Sequence, residues 1–374
     1  MARLGLGDGW SCKFANDFDA LKSATYRANF PDAETHFHEG DVWALDAGKL
    51  PGAVDLAWAS SPCQDFSLAG NRAGLKGGRS SAFFGFWNLI KALGKEGRAP
   101  RSIVIENVVG LLTSHAGDDF TALCRALADE GYRFGAVEID AARFVPQSRQ
   151  RVFVIATLAS VSPELEQVEP IAPLHSGRVE LAYERLPSDL KKLWVWWRLP
   201  FPPMHNRTIE TCLENDADVP WFEQAKVDHI DGLFNDRHRD KLIAVRKRPG
   251  RTVGTLFRRM RREDGKKMQR AELRFDGFAG CLRTPGGGSS KQFLVIVEGG
   301  RTQMRELTGR ESARLMGLDD EYNLPKSKNG ALRVCGDGVV VNVVAWLRIE
   351  LLDRLAHAAR ESSNEQKEGR WAGS

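Results

Sequence analysis

Cysteine is scarce in this 374-residue sequence: the six (Cys12, Cys63, Cys124, Cys212, Cys281, Cys335) are scattered, with no C-x-x-C pair. Such spacing indicates neither a disulfide framework nor a zinc site. Several sit in apolar runs, where a reduced thiol packs as a small hydrophobe. His36 and His38 form a lone H-x-H without a nearby third ligand, which reads as a surface pair and not as a metal centre. A basic-then-apolar leader is missing, as is any run approaching the roughly 18 apolar residues of a membrane span. No internal repeat is visible. These absences predict a soluble, intracellular chain free of metal and membrane.

Net charge is also slight, at +4, so composition alone does not announce a polyanion partner. Its distribution does. Between Arg237 and Arg274 there are 15 Lys and Arg against 4 acids, a local net of +11, which leaves the rest of the chain at −7. A basic stripe on an otherwise acidic chain suits a polyanion, because each neutralised phosphate releases counterions. A solvated charged face is the alternative.

From Trp10 to Ala156, short β-branched runs alternate with helical patterns. "SCKFAND", "VDLAWASS", "SIVIENV" and "RVFVIAT" read as buried strands, and "DALKSATYRANF", "SAFFGFWNLIKAL" and "DDFTALCRALADEG" as the helices between them. This alternation predicts a doubly wound α/β sheet with its ligand crevice at the carboxyl ends of the strands. Beyond Leu158, prolines and aromatic clusters accumulate and periodicity fades, so a second, smaller, irregular domain is expected. From Arg305 regularity returns, with "TGRESARLMG" as a capped helix and "GVVVNVVAWLRIELLDRLAHAAR" as one long terminal helix. The last residues, 361–374, read as a disordered tail.

Cys63, in "SSPCQDFSLAG", stands where a strand gives way to a Gly- and Ser-rich loop suited to a mobile lid. Alone, a strand-end cysteine is more often structural. Other strand ends change that reading: "SIVIENV" delivers Glu106 and Asn107 to the same rim, and "VPQSRQRVFVIA" enters its strand with Arg149 and Arg151. A nucleophilic thiolate, a carboxyl that can be held protonated and a guanidinium form a set that activates an electrophilic ring.

Proline-cysteine-glutamine, Glu-Asn-Val, Gln-x-Arg-x-Arg, a variable basic region, "RELTGRESARLMG" and "CGDGVVVNVVAWL" follow one another in that order. The series, from about Cys12 to Leu347, resembles the DNA cytosine-5 methyltransferase family. The resemblance implies a Rossmann-like S-adenosylmethionine-dependent methyltransferase domain over residues 1–157 plus 303–360, and a target recognition domain over 158–302. It implies that Cys63 adds to C6 of a flipped-out cytosine, that Glu106 assists through N3, and that Arg151, with Arg149 nearby, holds the O2 side. Gln64 and Ser67 would contribute to lid closure, Ser67 from the DNA side. The S-adenosylmethionine site would draw on Asp17 for the ribose hydroxyls, Phe18 and Asp41 for the adenine, and Pro62, Ala82, Asp337 and Val339. In "CLRTPGGGSSKQ", Arg283, Thr284, Lys291 and Gln292 are expected against double-stranded DNA, an ordinary glycine hairpin being the alternative. The tryptophans of "LWVWWRLP" read as core and not as a stacking platform. The implied setting is the cytoplasm of a bacterial or phage-infected cell, with the protein monomeric and a cognate restriction endonuclease as a candidate partner.

One departure stands out. Family members open with a strand and a Phe-x-Gly-x-Gly loop, whereas "MARLGLGDGW" reads as the helix after that loop. Met1 is then an internal methionine taken as a start, or the chain is truncated or a degraded copy; the expectation is weak S-adenosylmethionine binding and impaired turnover. Two rival readings remain open: an RNA methyltransferase of the tRNA-directed branch, which the long basic region disfavours, and a DNA-binding pseudoenzyme, which intact Cys63, Glu106 and Arg151 disfavour.

Overall fold

The computed structural model describes residues 1–60, 82–158, 160–263, 265–284 and 291–358. Pro62, Cys63, Gln64, Ser67, the glycines of "TPGGGSS" and the tail at 361–374 lie outside the described residues.

The first part of the chain runs α1 (Ala2–Leu6), β1 (Ala15–Asp17), α2 (Ala20–Asn29), β2 (Phe37–Glu39), β3 (Leu56–Ser60), α3 (Ala82–Lys95), β4 (Ser102–Val108), α4 (Asp118–Asp129), β5 (Arg133–Asp140) and β6 (Gln150–Thr157). β1 and β2 form a parallel pair, and the principal sheet has the order β3-β4-β6-β5. In it β3 lies parallel to β4, while β6 runs antiparallel to both its neighbours. β4 is apolar on both faces, as a strand covered on both sides must be. Ile103 and Ile105 pack with Phe83, Trp87 and Ile90 of α3 and Leu123 and Leu127 of α4. Val104, pointing the other way, joins Phe153, Ile155 and the C-terminal helices. Helices therefore cover both faces, as the alternation of patterns predicted.

After β6 come β7 (Glu166–Gln167), α5 (Gly177–Glu184), α6 (Ser188–Lys191), β8 (Trp196–Trp197), α7 (Gln224–Asp231), α8 (Asp236–Arg246), β9 (Arg251–Glu263), β10 (Lys266–Arg274), β11 (Gln292–Glu298) and β12 (Arg301–Glu306). This region is more regular than its sequence predicts, because β9 to β12 form an antiparallel sheet of order β10-β9-β11-β12. One of its faces (Val253, Leu294, Ile296) packs into the same cluster as Val104 and Ile155. The opposite face (Leu256, Leu273, Phe293, Val295) is covered by Val227 and Ile230 of α7 and Leu242 and Val245 of α8. Trp194, Trp196 and Trp197 are buried, as expected of core residues.

The chain returns with α9 (Gly309–Leu315), α10 (Lys328–Asp337) and α11 (Val341–Leu347). The helical stretch Lys328–Ala358 is, against expectation, long and apolar enough by length and composition to cross a membrane, but 67% of its most apolar window is buried within the molecule. Leu347, Leu351 and Leu355 belong to the main core, which makes it a core element. The terminal helix runs unbroken over 341–358, with a π-type turn at Arg348–Leu352. His36 also departs from expectation. It is only 8% exposed, with its ring edge-on to Tyr26, so it is not half of a surface pair.

Candidate active site

The antiparallel register sets Val108 opposite Arg151 and Glu106 opposite Phe153. Side chains two residues apart share a face of the sheet, so Glu106 and Arg151 meet diagonally on one side. Arg151 Nε lies 3.0 Å from a Glu106 carboxylate oxygen, and its Nη1 donates to the Gln150 carbonyl at 2.8 Å. Glu106 is 6% exposed, buried enough for a charge-assisted contact to be strong. On the other side of β4, Ser60 at the end of β3 pairs with Glu106. Asn107 accepts the Val108 N–H on its side-chain oxygen, 2.8 Å away.

Arg149 is placed differently. Its guanidinium is buried and donates to three carbonyls: Leu282 at 2.8 Å, Gly336 at 2.9 Å and Gly338 at 2.7 Å. A side chain so engaged has no freedom to hold a substrate oxygen, and the expected catalytic part for Arg149 is corrected to a positioning one. Gln147 works beside it, donating to the Leu315 carbonyl at 2.8 Å and accepting the Leu282 N–H at 3.0 Å. Sequence reasoning missed Gln147, although Gln-x-Arg-x-Arg was the signal for it. Together these two side chains tie the entry of β6 to segment 281–282 and to the ends of α9 and α10. Gly336 is required by this closeness: a Cβ there would lie 2.5 Å from the Arg283 carbonyl carbon.

Asp17 ends β1. Its Oδ1 accepts the Asp19 N–H at 2.9 Å, and burial pushes its carboxyl above the usual carboxylate range, against the pull of Lys22. The helix cap is Asp19, whose carboxylate accepts the Leu21 and Lys22 N–H groups. Phe18, next in sequence, is 72% exposed: an uncovered apolar ring beside a carboxylate fits an adenosine. Asp41 caps a short turn through the Trp43 N–H at 3.0 Å, leaving its carboxylate exposed. Asp337 pairs with Lys22 at 2.8 Å and accepts from Thr284 Oγ1, which holds its carboxyl below the usual range against burial. Val339 is buried, and Ala82 opens α3.

Of the residues expected against DNA, Lys291 pairs with Glu306 at 3.3 Å, and Gln292 is 8% exposed at the start of β11. Arg283 stays exposed. Thr284 is held by Asp337, an intramolecular bond where a DNA contact was expected.

The chain is 23% identical to the type II methyltransferase M.HhaI of Haemophilus parahaemolyticus over 91% of its length and 86% of that protein's. It is 24% identical to M.HpaII of Haemophilus parainfluenzae, covering 93% and 85%. The Dnmt2 methyltransferase of S. pombe has a similar fold, with a TM-score of 0.56 over 93% of this chain and 92% of that one at 19% identity. The description "C-5 cytosine-specific DNA methylase" matches residues 2–352, and by that match over nearly its whole length the chain belongs to the C-5 cytosine-specific DNA methylases.

Proposed function

We propose that the family's reaction, methylation of cytosine C5 in DNA, runs here through a transient bond between Cys63 and C6 of a base turned out of the duplex. Extrusion is needed because C6 is inaccessible inside the stack. Cytosine C5 is a weak nucleophile. Addition of the Cys63 thiolate to C6, with a proton passing from Glu106 to N3, makes the ring an enamine that is electron-rich at C5. Arg151 holds the O2 side and, through its contact with Glu106, fixes the carboxyl's orientation. After C5 has taken the methyl group, a base removes the C5 proton, the S–C6 bond breaks and N3 returns its proton to Glu106. S-adenosylmethionine supplies the electrophilic methyl group. Asp17 accepts from the ribose hydroxyls, Phe18 packs on the adenine, and Asp41 meets its polar edge. Residues 1–157 and 303–360 form the catalytic part, and 158–302 the part that chooses the DNA sequence.

The observation that carries this reading is the Glu106–Arg151 pair at 3.0 Å, on a strand end adjoining Ser60. Cys63 stands three residues beyond Ser60, and three residues of chain reach no further than about 11 Å. Incubation with duplex DNA containing 5-fluorocytosine and S-adenosylmethionine tests it, since fluorine at C5 blocks the elimination. The expected result is a covalent protein–DNA complex that survives denaturant and is lost in Cys63→Ala. DNA binding without an adduct, or trapping on RNA alone, overturns it.

A further inference from the structure

The strands β9 and β10 outrun their sheet. β11 pairs with β9 only from Arg251 to Phe257, whereas β9 and β10 stay paired as far as Glu263 and Lys266. The six residues of β9 beyond Phe257, at about 3.3 Å each, form a two-stranded ribbon roughly 20 Å long. Core packing ends one pair further on, at buried Ala271 opposite Arg258, and Met260 and Met268 stand 52% and 40% exposed. An isolated two-stranded ribbon is marginally stable at best in water.

The charges make it less stable still. Arg262 stands directly opposite Lys267, and Arg259 opposite Arg270; like charges in direct opposition destabilise a strand pair. Of the 14 residues from 258 to 271, seven are Lys or Arg and two are acidic. Glu272 relieves part of this through Arg259 at 3.5 Å and a contact with Arg261. A hairpin that only had to remain in water would gain nothing from such pairs. Alternation also sets Arg259 and Arg261 on the side of β9 that carries Val253, whose side chain packs into the cluster holding Val104 and Phe153. The basic ribbon thus extends the face of the sheet that is turned to the part of the molecule bearing Glu106 and Arg151.

We propose that this ribbon is an arm that grips the phosphates of duplex DNA flanking the target cytosine, adding affinity without sequence choice. The proposal rests on the DNA-methylating reading above. Arg and Lys on a two-stranded ribbon suit B-DNA, whose major groove admits such a ribbon and whose phosphates line its edges. About 20 Å of ribbon corresponds to roughly six base pairs at 3.4 Å each.

The test uses the full chain and compares wild type with Arg261→Gln/Arg262→Gln/Lys266→Gln/Lys267→Gln, measuring affinity for short and flank-extended duplexes across a salt series. Each phosphate contact adds about 0.9 to the slope of log affinity against log salt, so the slope should fall by about 2 to 4. The affinity gained by lengthening the flank should disappear. Arg261→Lys/Arg262→Lys should keep the slope, and Lys266→Gln/Lys267→Gln offers the same test at half the change should the fourfold variant not fold. An unchanged slope and length dependence, or a loss confined to structured RNA, overturns the arm. Fluorocytosine trapping by wild type separates the two levels: trapping with an unchanged slope sinks the arm alone, whereas a wild type that neither traps nor binds duplex DNA sinks the underlying reading as well.

Discussion

Glu106 and Arg149 are both buried polar residues near one strand end, yet their partners give them opposite tasks. Glu106 meets one guanidinium, and in the proposed mechanism its carboxyl group exchanges a proton with N3. Arg149 spends its guanidinium on three backbone carbonyls from segments more than 130 residues away in sequence. Glu106→Gln preserves shape but removes the proton donor, so turnover with saturating DNA should fall by about 10² to 10³, while urea unfolding shifts by no more than about 1 kcal/mol. Arg149→Gln leaves buried carbonyls unpaired and should cost about 3 to 5 kcal/mol in the same unfolding experiment. Equal stability losses would refute the division of labour. The sequence makes Glu106 and Arg151 legible, because each sits at the end of a strongly apolar strand. Arg149's diversion was not legible: Leu282, Gly336 and Gly338 come near only after the second sheet has docked, and no local pattern encodes that.

At the scale of elements, α9 shows how the two halves of the molecule are joined. Thr308 and Glu311 form a capping box, and Glu311 also receives both terminal nitrogens of Arg305 from β12, at 2.7 and 2.6 Å. It accepts the Glu214 N–H as well, at 3.0 Å. Neither side chain of the Arg305–Glu311 pair is exposed at all. Breaking such a pair strands an uncompensated charge, so Glu311→Ala should cost about 3 to 5 kcal/mol, whereas Arg305→Met/Glu311→Leu should recover most of that loss. Urea unfolding of the three chains measures it, and a double variant no better than the single one would refute the account. "TGRESARLMG" announced this helix through its cap, as "SIVIENV" announced β4, because both signals are local. The antiparallel sheet β9 to β12 was hidden for a physical reason. The outer half of β9 carries charge on both faces, so the period-2 pattern of a half-buried strand is missing where the ribbon leaves the sheet. The π-type turn at Arg348–Leu352 was equally invisible, since one extra residue in a turn leaves an apolar run looking like plain helix.

Across the whole molecule, acid sensitivity is expected from histidines whose protonation burial opposes. His175 is 1% exposed, its ring edge-on to Trp196 at 5.0 Å and its Nδ1 accepting the Ile171 N–H at 3.0 Å. Burial pushes it down to about 4, and it also holds His36 and His238 below their ordinary value. Unfolded, a histidine titrates near 6.5. Between about pH 6.5 and 4 the unfolded chain therefore binds a proton at residue 175 that the folded chain refuses, and stability must fall as pH drops through that window. The difference between 6.5 and about 4 amounts to about 3 kcal/mol for His175 once pH reaches 4. Carboxylates held low by cationic partners, such as Glu306 beside Lys328 and Lys291, withdraw their stabilisation only as pH falls below their unfolded values near 4. Urea unfolding at half-unit steps from pH 7 to 4.5 should show a shallower slope in His175→Gln than in wild type. Parallel slopes would mean that His175 takes up its proton as readily inside the fold as outside it, and that burial against Trp196 does not set the acid limit of this protein.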